Sequence, residues 1–172
     1  MPTTITGTDG VSQVQTGAVE SGDLPAGSVI QVVQTEGDAT VAQISTSSYV
    51  DLPGLSASIT PQSSLSKILI AYSFHIQINA GSGWGGFGTQ ILRDFTVIVS
   101  EEDAPEGSYG TAAKDTNSVM HYVQNPGYLD SPNTTSLITY KVQGARVRDN
   151  GGSINYNKYG QLPMITLMEI AG

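Results

Sequence analysis

The stretch from Ser66 to Ala80 reads SKILIAYSFHIQINA and carries the clearest pattern in the chain. Apolar residues recur at every second position from Ile68 to Ala80, and mostly polar residues lie between them. Leu69 and Ala71 are the apolar exceptions at the polar positions. Alternation with period two, rich in β-branched and aromatic residues and free of Gly and Pro, predicts a long strand with one buried face. We predict the central strand of a β-sandwich here, because a helix would repeat its apolar residues every three or four positions.

Further extended segments follow at spacings near the roughly 8 to 12 residues typical of sandwiches. They predict an all-β fold of two antiparallel sheets, and the pattern alone leaves jelly-roll and immunoglobulin-like arrangements open. The absence of Cys weakly disfavours the second. We predict a hairpin of residues 28–35 with 40–46, and a break in pairing at Pro53-Gly54. The predicted loops are a glycine-rich loop at 80–90 and an exposed acidic loop at 101–118. The predicted turns are a hairpin turn at Arg93-Asp94 and turns at 125–127, 149–152 and 160–161.

The composition excludes several classes of function. A chain of 172 residues suits one domain with an appendage. The net charge is −8 and the seven Lys and Arg residues are scattered, so the chain has no basic stripe for binding nucleic acid. There is no apolar stretch of about 18 residues and no signal-peptide pattern, so we expect no membrane insertion.

The first 27 residues differ from the rest of the chain. They are rich in Thr, Gly, Ser, Gln and Asp, and alone they cannot bury enough apolar surface to offset the entropy of ordering. We predict an extended N-terminal arm over residues 1–27, ordered by sister copies or a larger assembly, before a β-sandwich head over residues 28–172. An arm folded back on its own head is the alternative. The residues expected to anchor the arm are its spaced aliphatics, Ile5, Val11, Val14, Val19 and Leu24.

No motif in the sequence indicates catalysis. His75 and His121 lie in predicted strands without a metal-ligand spacing, and the sequence contains no G-x-S-x-G elbow. The acidic residues between Glu101 and Glu106 lack the spacing of an EF-hand, which favours a solvated loop over a calcium site. We therefore expect no enzyme activity, no cofactor and no metal.

Aromatic residues in or beside predicted loops are candidates for ligand contact. Exposed aromatic rings are the side chains on which a glycan or a receptor would stack. The alternative for the glycine-flanked Trp84 is that its ring packs beneath its own loop. The candidates are Trp84, Phe87, Tyr109, Tyr128, Tyr156 and Tyr159.

Several phrases of the sequence resemble known proteins. They are GTDGVSQVQTGAV, PAGSVIQVVQT, SSLSKILIAYSF, QILRDFTV, YLDSPNTTSLITYKVQ and ITLMEIAG. Together they resemble small tail-fibre-like and head-fibre-like virion structural proteins of tailed bacteriophages, especially marine ones. The resemblance implies a homotrimer, an arm that docks on tail or capsid, and a jelly-roll head similar to the complement C1q and tumour necrosis factor group. Fold-level likeness of this kind is analogy, and it does not by itself assign a function.

The expected function is that of a noncatalytic virion structural protein, a trimeric tail fibre for attachment and host recognition. The alternatives are a capsid decoration or head-fibre protein, and a soluble carbohydrate-binding lectin. The expected partners are sister copies, other virion proteins through the arm, and a host glycan or receptor. The expected location is the virion surface after assembly in the host cytoplasm. Two strands carry apolar residues on both faces, so each face needs to be covered, and a sister subunit could cover the second face. The residues concerned are Leu69, Ala71, Tyr140, Val142 and Val147.

Overall fold

Strand β4 (Lys67–Asn79) is the long central strand that the alternation predicts. The protein is represented by a computed structural model that describes residues 23–38, 40–79, 84–100, 111–114, 119–148, 153–157 and 159–172. Two strands pair in succession with one edge of β4 and a third pairs with its other edge. The side chains at every second position from Ile68 to Ile78 are all buried, so the predicted inward face is confirmed.

The described residues form eleven strands and no α-helix. The sequence prediction of an all-β fold is therefore confirmed. The other strands are β1 (Val29–Glu36), β2 (Ala42–Ile44), β3 (Val50–Ile59), β5 (Trp84–Arg93), β6 (Thr96–Ser100), β7 (Thr111–Lys114), β8 (Val119–Asp130), β9 (Ile138–Arg148), β10 (Ser153–Tyr156) and β11 (Met164–Ile170).

These strands form two antiparallel sheets. The six-stranded sheet has the order β1-β11-β4-β10-β2, with β8 on the other edge of β4. The five-stranded sheet has the order β3-β9-β5-β6, and β7 also pairs with β5. Strands β6 and β7 pair with successive halves of β5, so together they occupy the place of one strand.

The strand pairs are nested along the chain. Strand β1 pairs with β11, β3 with β9, β4 with β8, and β5 with β6 and β7. The chain is thus one long hairpin that wraps around itself and places alternate pairs in opposite sheets. This is the connectivity of a jelly roll, so the predicted jelly-roll sandwich is confirmed.

Aromatic side chains from both sheets meet in the core. The ring of Phe74 on β4 lies 6.0 Å from that of Tyr72, 6.0 Å from that of Phe87 on β5, and 5.5 Å from that of Tyr156 on β10, centroid to centroid. The hydroxyls of Tyr72 and Thr89 lie 2.9 Å apart and share a hydrogen bond across the core. These contacts join the two sheets at their middle.

Three local sequence predictions are confirmed. Residues 94 and 95 form the tight turn between β5 and β6, as predicted at Arg93-Asp94. Gly160 lies in a turn closed by its N–H donating to the carbonyl of Asn157 at 3.0 Å. The β3–β9 ladder shifts register between Asp51 and Ser56, so pairing is interrupted at Pro53-Gly54 although the strand continues.

The predicted hairpin of residues 28–35 with 40–46 is wrong. Strand β1 pairs with β11, and β2 pairs with β10. The amide of Gly37 donates to the carbonyl of Pro163 at 2.8 Å, so the chain after β1 stays beside the segment that leads into β11. Pairing across the chain takes precedence over pairing with the nearest neighbour in sequence.

Two predicted loops are partly strands. Residues 84–90 belong to β5 and residues 111–114 form β7, so neither the glycine-rich loop nor the acidic loop has its predicted extent. Gly144 on β9 faces this segment, and a Cβ there would overlap the Phe87 ring and lie 3.0 Å from Leu52. Glycine at that position gives the Phe87 ring room in the core, so this Gly-rich region packs as a sheet.

The predicted turn at residues 125–127 is an irregularity within β8. The β4–β8 register shifts between Ile70 and Tyr72, opposite these residues, and Gly127 has a φ of 142°. Among the described strands, β8 pairs only with β4, so it is an edge strand where Pro126 leaves no ladder hydrogen bond unmade. The predicted turn at 149–152 lies outside the described residues.

Candidate functional site

The predicted aromatic site residues whose side chains the structure describes do not come together. Phe87 and Tyr156, predicted in or beside loops, lie in strands and are fully buried. Both rings pack on Phe74, and the Tyr156 hydroxyl donates to the carbonyl of Pro53 at 2.6 Å. Their flanking Gly and Asn residues suggested loops, but the rings supply core volume and cannot reach an external ligand.

The other four aromatic candidates differ in what the structure describes. Tyr159 is 63% exposed, and Tyr128 is half-buried with its hydroxyl 3.4 Å from the carbonyl of Ile98. Trp84 begins β5, but its side chain lies outside the described part of the chain. Tyr109 lies outside it altogether. Tyr159 is thus the candidate that the structure places at the surface.

The predicted anchoring residues of the arm fall mostly outside the described residues. Leu24 is described, is partly buried, and lines a cavity of about 270 Å³ with Ile30 and Leu65. The N–H of Gly27 donates to the carbonyl of Ala171, and the N–H of Ala171 donates to the carbonyl of Ser28, both at 2.8 Å. Residues 27–28 are therefore tied to the segment after β11. The predicted anchors outside the description are Ile5, Val11, Val14 and Val19.

Several charged side chains within the described part of the chain take part in structural contacts. Arg93 on β5 donates to both carboxylate oxygens of Asp130 on β8, at 3.2 and 2.9 Å, and the Tyr140 hydroxyl donates to the same carboxylate at 2.7 Å. Burial, followed by the hydrogen bond to Asp130, raises the pKa of Tyr140 far above its usual value. This cluster joins strands of the two sheets at one end of the sandwich.

A buried carboxylate closes the same end of the six-stranded sheet. Glu169 on β11 is fully buried, accepts a hydrogen bond from the Gln31 side chain at 2.5 Å, and accepts another from the Gln62 amide at 2.8 Å. Gln31 also donates to the carbonyl of Thr60 at 2.8 Å. These bonds hold the β3–β4 connection against β1 and β11. Within the described ranges, no group of three His, Asp or Glu side chains is placed to hold a metal ion.

The outward face of the six-stranded sheet carries a continuous row of apolar side chains. Val32 on β1 lies opposite Met168 on β11, Met168 lies opposite Leu69 on β4, and Leu69 lies opposite Leu129 on β8. Residues directly opposite each other have Cβ atoms about 5 Å apart. Val32 is 56% exposed and Leu129 47% exposed. We call these four residues the apolar row.

Sequence periodicity found only one member of the apolar row. The alternation along β4 singled out Leu69 and its neighbour Ala71, and both are outward-facing as predicted. The other three members are identified only by the register in which β1, β11, β4 and β8 pair. The periodicity of a single strand contains no information about that register. The sequence pattern distributes Tyr140, Val142 and Val147 over both faces of their strand, and Tyr140 and Val142 occupy its buried, inward face. The side chain of Val147 lies outside the description.

A groove adjoins the apolar row at the end of the sheet. Its cavity volume is about 650 Å³, and its lining includes Ala26, Gly27, Leu65, Lys67, Leu129 and Ile170. Leu65 is 73% exposed at its rim. We call this the basal groove. It is mostly apolar, with the Lys67 side chain as its charged lining residue.

No helix long and apolar enough to cross a membrane occurs among the described residues. No family model matches the chain, and no curated protein matches it.

Solved structures of infectious bursal disease virus give matches at low identity. One chain from the 2.6 Å structure of infectious bursal virus derived T=1 particles is 12% identical with a TM-score of 0.43. One from the structure of the Gx strain of that virus is 13% identical with a TM-score of 0.41, and one from a VP2 subviral particle is 11% identical with a TM-score of 0.39.

These matches cover 83% to 84% of this chain but only 37% to 39% of the viral chains. This chain therefore spans well under half the length of the structures it matches. A likeness at these scores and identities assigns neither a family nor a function.

Proposed function

We propose that this protein is a noncatalytic virion structural protein, a trimeric fibre-type component of a phage tail. Its jelly-roll head packs against sister copies, and residues 1–27 attach it to the particle. The observation that carries this proposal is the apolar row. The sequence resemblance to phage fibre-like proteins supports the virion location, and the jelly-roll connectivity is compatible with it.

The apolar row is unusual for the outer face of an antiparallel sheet. Such a face is normally polar when it borders water, because only the opposite face packs on the core. Here apolar residues occupy four adjacent strands in one line, about 14 Å across at normal strand spacing. Ile170 and Val29 extend the same face by one further pair. A surface of this kind gains stability from a second cover.

A sister copy is the cover proposed here. Burying part of each residue of the apolar row against a sister copy removes apolar surface from water. Each Å² removed stabilises the assembly by about 25 cal/mol. With three subunits in a ring, every copy contributes one such face, so the gain is repeated around the ring. Many copies on one particle would then convert weak contacts with a host surface into avidity.

A charge placed in the row tests this directly. We expect the purified protein to have three times the chain mass of 18.0 kDa by native mass spectrometry, and the Val32→Glu variant to dissociate. Val32 is exposed on β1, so the variant should fold, which circular dichroism checks. Ser58→Glu is the matched control, because Ser58 is exposed on the outward face of the five-stranded sheet. A monomeric wild-type protein at high micromolar concentration would contradict the proposal.

Particle location separates the tail fibre from a capsid decoration or head-fibre protein. Labelled antibody viewed by electron microscopy on intact particles should mark the tail. Label over the capsid would favour decoration, and no label on particles would contradict a virion role.

The exposed ring of Tyr159 is the described feature that favours glycan binding. We therefore propose host recognition at the loop that carries Tyr159. Tyr159→Ala should lower binding to host cells or a glycan array while the oligomer stays intact. Binding by a monomeric protein that is absent from particles would instead favour the lectin alternative.

A further inference from the structure

An exposed aromatic ring lies at the tip of the β5–β6 hairpin. Phe95 is 93% exposed, and Leu137, just before β9, is also exposed. The amide of Asp94 donates to the carbonyl of Thr139 at 2.7 Å, and the Asp94 carboxylate accepts from the Thr139 amide at 2.9 Å. The hairpin tip is therefore held against the start of β9. A ring presented on a fixed turn loses little conformational entropy when it binds.

The hairpin tip lies at the same end of the sandwich as the basal groove. Arg93, the residue before the turn, binds Asp130 at the end of β8. Asp130 is paired with Ile68, and the adjacent residues Lys67 and Leu129 line the groove. The tip belongs to the five-stranded sheet and the groove to the outer side of the six-stranded sheet.

We propose that Phe95 of one copy inserts into the basal groove of the next copy. This contact rests on the trimer proposed above and names the surfaces that form it. The groove is apolar and open, and a volume of about 650 Å³ accommodates a phenyl ring. Phe95 is exposed, so the groove of its own copy does not hold it, and the proposed partner groove belongs to a second copy.

The charges beside the two surfaces are complementary. Asp94 precedes the inserted ring, and Lys67 is the charged residue in the groove lining. Insertion of Phe95 brings the Asp94 carboxylate to the groove that carries the Lys67 ammonium group. The chain has a net charge of −8, so basic residues are scarce on its surface. Attraction between the Lys67 ammonium group and the Asp94 carboxylate therefore favours this hairpin tip, rather than an uncharged segment, as the occupant of the groove.

The geometry of the contact is compatible with a closed ring. The two surfaces differ, so the contact is head-to-tail, and head-to-tail contacts close when the rotation between copies divides a full turn. Rotation about an axis parallel to the sandwich keeps every residue at its own height. Tip and groove lie at one end, so they meet at the same height in such a ring.

Two single variants and their mixture test the contact. Phe95→Ser removes the ring and leaves the groove, while Leu65→Arg blocks the groove rim and leaves the ring. Each should weaken assembly at least about 30-fold, as expected for a central aromatic anchor. Mixed together, they should form a one-to-one heterodimer, because one intact ring meets one intact groove. Leu162→Ser and Leu162→Arg are matched controls at an exposed Leu outside the groove lining, and they should remain trimeric.

Native mass spectrometry gives the outcome in each case. A trimeric Phe95→Ser or Leu65→Arg protein, or a mixture without heterodimers, overturns the contact while the trimer stands. A monomeric wild-type protein removes the trimer and this contact together.

A double-mutant cycle tests the charge pair. Asp94→Asn keeps the acceptor for the Thr139 amide and tolerates the φ of 54°, and Lys67→Met keeps the aliphatic stem. Each should weaken assembly several-fold, and the double variant should be no weaker than the single variants. Losses that add fully would overturn the pairing of these two residues.

Discussion

Asp130 is an almost fully buried carboxylate of the six-stranded sheet whose side-chain partners come from the five-stranded sheet. Arg93 and Tyr140 donate to it from β5 and β9, and its own strand, β8, belongs to the other sheet. A buried charge is tolerated only where its hydrogen bonds are satisfied. This cluster therefore fixes how the sheets meet at the end that also carries the basal groove.

Removing the Arg93 side chain leaves that carboxylate without its cation. We expect Arg93→Met to lower the free energy of unfolding by about 3 kcal/mol in urea titrations. The matched variant is Lys141→Met, which breaks an exposed ion pair of 3.2 Å with Asp51 and should cost no more than about 1 kcal/mol. Equal losses in the two variants would mean that Asp130 does not depend on Arg93.

The buried hydroxyl of Tyr156 makes stability depend on alkaline pH. Burial, with a smaller contribution from the charge of Asp38, raises the pKa of Tyr156 well above the ordinary value of about 10. The folded state therefore keeps the neutral phenol when the unfolded chain begins to ionise. The stabilising contribution is complete below pH 10 and is lost as the pH rises above it, by about 1.4 kcal/mol per pH unit.

Tyr156→Phe should remove the part of the alkaline pH dependence that Tyr156 contributes, while the buried Tyr140 keeps its own part. Below about pH 9 the variant and the wild type should differ by a constant amount, near 1 kcal/mol for the lost bond to Pro53. Above pH 10 the wild type should lose stability faster than the variant in urea titrations. Parallel curves across this range would show that Tyr156 ionises as readily in the fold as in the unfolded chain.

At the scale of the strand, the packing of β5 against β9 depends on one missing side chain. Gly144 faces the Phe87 ring closely enough that a Cβ would overlap it. We expect Gly144→Ala to destabilise the fold by about 1 to 3 kcal/mol, because the ring would have to leave its position in the core. Thermal and urea unfolding measure the loss.

A second substitution checks the cause of that loss. Phe87→Leu removes ring atoms from the overlap, so the double variant should lose less than the two single losses added together. Additive losses would place the strain in the backbone at Gly144 rather than against Phe87.

The strands show which local patterns could be predicted from the sequence. Strand β4 was predictable because all its information is local, an alternation of thirteen residues. Strands β5 and β8 were not, because Gly85, Gly86 and Pro126 ordinarily mark loops. The first two lie in a strand that packs across from Gly144, and Pro126 lies at an edge where its missing N–H costs nothing. Their strand character comes from the neighbours and not from the segments themselves.

At the scale of the whole molecule, the sandwich was predictable and its pairings were not. Composition and strand spacing indicate two antiparallel sheets. They do not indicate which strands pair, because paired strands lie far apart in the sequence and a local pattern contains no information about that distance. Leu69 could be identified as an outward apolar residue, whereas its alignment with Val32, Met168 and Leu129 requires three registers at once. The candidate assembly surface therefore emerges only when the sheet is complete.

The nesting of pairs also orders events while the protein is being made. Strand β1 finds its only described strand partner in β11, some 130 residues later. A ribosome must deliver that partner before β1 can enter a sheet, although the inner pair of β5 and β6 can close soon after its emergence. Pairing of strands that are so distant in sequence slows folding. Until β11 is available, the backbone hydrogen-bonding groups of β1 have no strand partner among those described. Newly synthesised copies would thus depend on chaperones, or on each other, during that interval.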